Sequence, residues 1–133
     1  MQNTQKTDAR LEWLIKGVLV LVGSLSIVPV IALFVPSNLE NMYGLVALDD
    51  HVRLLLQHRA LFFGMIGAGI IASAFKPAWR TPVLGVALLS KVCFVALVAS
   101  GDASAEINRV ALADGVAIIL VSIVLFLHVR SRH

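Results

Sequence analysis

Four apolar runs, each near the length that crosses a bilayer, constrain this chain more than anything else in it. They cover Trp13–Val35, 57–75, 82–100 and Ile107–Val129. A helix needs about 20 residues to cross a hydrocarbon core of about 30 Å. Inside lipid the backbone must satisfy its own hydrogen bonds, which a helix does within one segment. The second run is apolar only over Ala60–Phe75 and takes in residues from Leu54–Arg59 to reach span length. The sequence therefore predicts an all-α chain: one integral-membrane four-helix bundle over residues 1–133.

Composition agrees. The chain is 59% hydrophobic and 14% charged, where soluble domains hold about 45–50% apolar and about 25% charged residues. A net charge of +3 would suggest nucleic acid in a soluble protein. Here the cations flank the apolar runs, so topology explains them and no nucleic-acid partner is expected. The single cysteine, Cys93, sits in an apolar run and reads as a small hydrophobe. No Cys-x-x-Cys or Cys–His spacing suggests a metal site. The first run exceeds the 7–15 residues of a signal h-region, and Phe34-Val35-Pro36 is a poor cleavage site. It reads as a retained helix. Only the first ten or so residues are polar enough to form a tail.

Four spans put both termini and the middle turn on one side. That side holds Lys6, Arg10, Lys16, Lys76, Arg80, Arg130 and Arg132, against Arg53, Arg59 and Arg109 opposite. The excess marks the first side as cytoplasmic. Trp13 and Trp79 fall at that interface, where indole rings prefer to sit. The expected location is an inner membrane, with N- and C-termini cytoplasmic.

Pro77 and Pro82 bracket a tight turn at Lys76–Thr81, and Ser100–Glu106 is a short outer turn. The longer outer segment, Pro36–Gln57, carries its own signals. Ser37-Asn38-Leu39-Glu40 resembles a capping box. Asp49 or Asp50 suits the cap of a stretch, Val52–Gln57, that runs into the second helix. One or two short interfacial helices are expected there, over the outer mouth of the bundle. Pro29 should kink the first helix near its outer end, with Ser24 and Ser26 placed to satisfy freed carbonyls.

Membrane helices associate through close packing of small residues. Gly64, Ala68 and Ala72 form an i, i+4, i+8 stripe on the second helix, with Gly69 and Ser73 as a second pair. That helix should be the central, tightly packed element. The same stripe suits a contact with a partner membrane protein or a second copy of the chain.

Two charges interrupt the runs. Lys91 lies near the middle of the third and Asp114 about eight residues into the fourth, roughly 12 Å deep at 1.5 Å per residue. Ionisable groups at membrane depth are costly and usually pair, face the interior or serve a site. Their depths nearly match on adjacent antiparallel helices, so a Lys91–Asp114 contact is expected. Arg59, His58, Asn108, Arg109 and Glu40 complete a candidate polar cluster in the outer half. Three readings stand side by side: an ion pair that fixes helix register, a pocket for a lipid head group or small amphiphile, and proton transfer or chemistry. Haem would need a second histidine at the depth of His58. His51, His128 and His133 lie elsewhere, so no cofactor is expected.

The stretch Gln57-His58-Arg59-Ala60-Leu61-Phe62-Phe63-Gly64, with Ala74-Phe75-Lys76-Pro77 and Asn108-Arg109-Val110-Ala111-Leu112-Ala113-Asp114, resembles an uncharacterised group of small bacterial four-span membrane proteins. Some of that group carry the name phosphopantetheine adenylyltransferase. These residues do not fit that name: the chain has no His-x-Gly-His phosphate motif and no alternating strand–helix pattern. In architecture alone the chain is similar to DoxX-type proteins, a likeness that carries no function. The expected role is non-enzymatic: an accessory subunit, or a binder of a lipid-like ligand in an outer-leaflet polar pocket, with membrane lipids as partners. The alternative is a membrane enzyme acting on a lipid or quinone through Lys91, Asp114 and Arg59.

Overall fold

The computed structural model describes residues 2–35 and 49–130, with Asn41 and Gly44; the side chains of residues 2–8 and of Ala32 fall outside that description. Among the described residues there is no strand. Four long helices run α1 Gln2–Ile27, α2 Asp50–Phe75, α3 Arg80–Ala99 and α4 Ala105–Arg130. Each contains or forms a segment long and apolar enough to span a membrane: Ala9–Ile31, Asp50–Phe75, Pro77–Ala99 and Ala105–Arg130. The chain is a multi-pass, all-helical membrane protein.

The helices reach further than the apolar runs. α1 begins at Gln2, so the polar first residues are helix rather than tail. Residues 2–16 hold no glycine or proline, and extending a nucleated helix adds one hydrogen bond per residue fixed. α2 starts at Asp50 and runs unbroken through Val52–Gln57, as expected. Asp49 takes the N-cap position with an extended backbone, but its side chain makes no capping bond. Ser37, Glu40 and the interfacial helices expected around them lie outside the described residues.

At Pro29 the α-helical ladder of α1 stops, at Ile27, and the chain tightens into a 3-10 turn over Val28–Leu33. The proline lacks an N–H, so the ladder cannot continue through it. Ser26 donates its hydroxyl to the Val22 carbonyl at 2.9 Å, one turn back on its own helix. It does not reach the Leu25 carbonyl that the proline frees, and Ser24 is exposed.

The bundle is a four-membered ring. α1 packs on α2, α2 on α3, α3 on α4, and α4 back on α1, the last pair being the least extensive. No helix lies at the centre of the ring, but the second packs most extensively of the four, as expected of it. The tight crossing lies between α1 and α2. A Cβ on Gly67 would come 2.6 Å from the Gly23 carbonyl oxygen, and one on Gly23 would come 2.8 Å from the Gly67 oxygen. Gly64 receives Val30 in the same way. The buried face of α2 is Ala60, Gly67, Ile70, Ser73 and Ala74. Ala68 is exposed and Ala72 half-buried, so within the chain the contact follows Gly64 but not the rest of the stripe. A strict i+4 series turns about 40° per step around a helix of 3.6 residues per turn. A mixed series of three and four stays on one face.

We call the end that holds residue 2, the Pro77–Trp79 turn and Arg130 proximal, and the other end distal. The apolar core is proximal: Ile15, Leu19 and Val22 meet Ile70, Ala74, Leu84, Ala87, Val121 and Val124. Exposed Trp13 and Trp79 ring this end, each with a lysine over its face, Lys16 at 5.6 Å and Lys76 at 4.7 Å. Beneath the core sits Arg80, only 1% exposed. Its Nε donates to the Ser73 carbonyl and its Nη2 to the Ala74 carbonyl, both at 3.1 Å. These carbonyls belong to the last turn of α2, where the helix offers them no partner. The same guanidinium forks onto Glu12 of α1, at 3.0 Å and 2.5 Å. One side chain on α3 thus passes under α2 and ties it to α1.

Arg80→Ala should lower stability by about 2–4 kcal/mol, since it strands two buried carbonyls and one carboxylate. Arg80→Lys should recover little, because an ammonium cannot match this fork. Glu12→Gln should cost less than either, about 1 kcal/mol, because the carboxylate is partly exposed. Denaturant unfolding in micelles checks the ranking; equal stability of Arg80→Ala and the parent would refute it.

Candidate functional site

Helical geometry brings three charged side chains to one level. Arg59, Asp114 and Lys91 lie nine, nine and eight residues from the distal ends of their helices at Asp50, Ala105 and Ala99. At about 1.5 Å per residue, all are roughly 12–14 Å from those ends. Lys91 on α3 donates to Oδ1 of Asp114 on α4, the expected pair. Both are buried, Lys91 at 3% and Asp114 at 8% exposure. The second carboxylate oxygen, Oδ2, is buried and makes no hydrogen bond among the described residues.

Aromatic rings organise the cations. Phe63 of α2 has the Lys91 ammonium 5.6 Å from its ring centre and the Arg59 guanidinium 5.2 Å away. The guanidinium also lies over Phe94 of α3 at 4.2 Å. Contacts of this kind favour a cation that has been taken out of water.

These groups floor a crevice of about 260 Å³. Its walls are apolar: Leu21, Leu25 and Val28 on one side, Val116, Ala117 and Leu120 on the other. The walls belong to α1 with its 3-10 turn and to α4, the neighbours that pack least. Leu21, Leu25, Val28 and Val116 are also exposed on the outer surface, so the crevice opens sideways, toward lipid. Pro29 lines it where α1 loses its α-helical path.

Arg59 faces a second groove of about 450 Å³ between α2 and α3, lined by His58, Phe62, Ser90, Cys93 and Phe94. His58 is exposed there and meets Phe62 edge-on, at 5.3 Å between ring centres. It does not line the crevice of Lys91 and Asp114. Asn108 donates its side-chain amide to the Ala103 carbonyl at 3.2 Å and so braces the start of α4. Ser104 caps that start by accepting from the Ile107 N–H at 3.3 Å. Arg109 is exposed and lines neither cavity, and Glu40 lies outside the described residues.

Sequence reasoning singled out Arg59, Lys91 and Asp114, which the structure gathers, but not Phe63 or Phe94, which flank the cations. Their signal was present: Phe63 follows Arg59 by one helical turn, and Phe94 follows Lys91 by three residues. Among the described residues no three His, Cys, Asp or Glu side chains converge as metal ligands. His58 and buried His128 lie at opposite ends of the bundle.

Compared with known proteins, the chain matches no protein-family model, no curated protein and no solved structure. Function therefore rests on this geometry.

Removing one member of a buried pair leaves an uncompensated charge, whereas replacing both with apolar residues is often neutral. Asp114→Leu alone should destabilise by about 3–5 kcal/mol, and Lys91→Leu with Asp114→Leu should fold near parental stability. Circular dichroism melts of both in detergent check this. A double variant that fails to insert would show that the pair is needed to assemble the bundle.

Proposed function

We propose that this protein is a non-enzymatic binder of a lipid-like amphiphile, held by its polar head in the crevice between α1 and α4. One observation carries the reading: a laterally open, apolar-walled space of about 260 Å³ whose floor is an ion pair and an arginine. Binding sites for small molecules are mostly apolar with a few convergent polar groups, and usually measure about 300–1,000 Å³. This space falls just below that range. It takes a head group and the first carbons of a tail, with the remainder lying along the exposed face of α1 and α4 in the bilayer.

The cation distribution supports an inner-membrane placement with both termini cytoplasmic. The resemblance to small bacterial four-span proteins supports a bacterial membrane. On that orientation the crevice belongs to the outer leaflet.

Native mass spectrometry of the protein extracted from its own membranes in mild detergent tests the binding. We expect a retained small molecule that is lost from the Lys91→Leu, Asp114→Leu double variant. A retained partner protein with no small adduct would support an accessory subunit instead. Reporter fusions at residue 133 should read cytoplasmic; a signal from the opposite side would reverse the topology.

A further inference from the structure

The floor of the crevice also restricts the chemistry of the head group. This inference rests on the binding reading above and goes on to name the ligand class. We propose that the ligand presents an uncharged hydroxyl to the Lys91–Asp114 pair, as a lipid alcohol does, and not an anionic head group.

Asp114 lines the crevice; its Oδ1 accepts from the Lys91 ammonium, while its Oδ2 is buried and has no hydrogen-bond partner among the described residues. An unmet acceptor at that depth is costly, and a carboxylate oxygen only accepts. Its missing partner is therefore a donor. The ammonium beside it has three N–H groups, one of them directed to Oδ1. A hydroxyl meets both conditions: it donates to Oδ2 and accepts from Lys91.

Other heads fit less well. A carboxylate or phosphate would bring lone pairs against Oδ2, and the Lys91 charge is already balanced by Asp114. An ether or ester oxygen can accept from Lys91 but leaves Oδ2 unmet. The Arg59 guanidinium lies over Phe94 and lines both the crevice and the neighbouring groove. The tail needs no specific contact, since the walls from Leu21 to Leu120 are apolar and continuous with the lipid face.

The test uses the full chain in an alkyl amine oxide, a detergent without hydroxyl groups. Its probes share one tail: oleyl alcohol, oleyl methyl ether and oleate. Affinities come from titrations followed by native mass spectrometry. Oleyl alcohol should bind at least about tenfold tighter than the ether, the ratio one buried hydrogen bond supports, and tighter than oleate. In the Lys91→Leu, Asp114→Leu double variant the alcohol-to-ether ratio should fall to about one. Equal affinity for alcohol and ether in the parent would overturn the hydroxyl assignment and leave the crevice as an amphiphile site. Tightest binding of oleate would assign the site to anions instead. A preference for the alcohol that survives in the double variant would place the hydroxyl contact elsewhere. If none of the three binds the parent, the binding reading itself fails.

Discussion

Three of the four helices are tied together by a single guanidinium. Apolar side chains gain little by leaving lipid tails for another helix, so membrane helices are held together by close packing and directional bonds. Arg80 supplies such bonds to three helices from a position 1% exposed. It completes the last turn of α2 through the Ser73 and Ala74 carbonyls and forks onto Glu12 of α1. Each acceptor would be orphaned or poorly solvated without it. Above this clamp the carbonyl oxygens of Gly23 and Gly67 approach the facing helix so closely that neither position has room for a side chain. Together they fix the rotation and height of α1 against α2.

The two halves of the molecule differ because of where these devices sit. The clamp and the apolar core from Ile15 to Val124 occupy the proximal half. In the distal half Pro29 ends the α-helical path of α1, and the contact between α1 and α4 is slight. Space results there, with apolar walls and with Arg59, Lys91 and Asp114 at its floor. Phe63 stands between the cations of Lys91 and Arg59, so the polar floor is backed by an aromatic wall instead of water.

Much of this was legible in the sequence. Run length and hydropathy marked four spans, because the bilayer imposes the length. Equal depth on antiparallel neighbours marked Lys91 and Asp114 as partners, because helical rise is fixed. The small-residue contact was placed only in part: Gly64 of the stripe takes part, but a fixed i+4 series drifts around the helix and the contact continues through Gly67. Arg80 and Glu12 read only as flanking charges. Their partnership depends on which helices surround the end of α2, a tertiary fact that no local pattern carries. The aromatic neighbours of Arg59 and Lys91 were visible as spacing, but apolar residues are so common in these runs that the spacing did not stand out.

The Lys91–Asp114 pair differs from the other polar ties of the bundle in leaving an acceptor open among the described residues. A buried ion pair can be kept because it selects one arrangement among several. Here the Arg80 fork, the mutual approach of Gly23 and Gly67 and the short Pro77–Trp79 turn fix α1, α2 and α3 against one another, while the Lys91–Asp114 pair joins α4 to α3. A pair kept only for register would also be expected to use both carboxylate oxygens, since an unmet lone pair adds cost without adding specificity. Asp114 leaves one oxygen unmet at the floor of the molecule's most loosely closed seam. The pair thus joins α3 to α4 beside the seam where α1 and α4 pack least, and that placement supports the proposal of a site in the crevice.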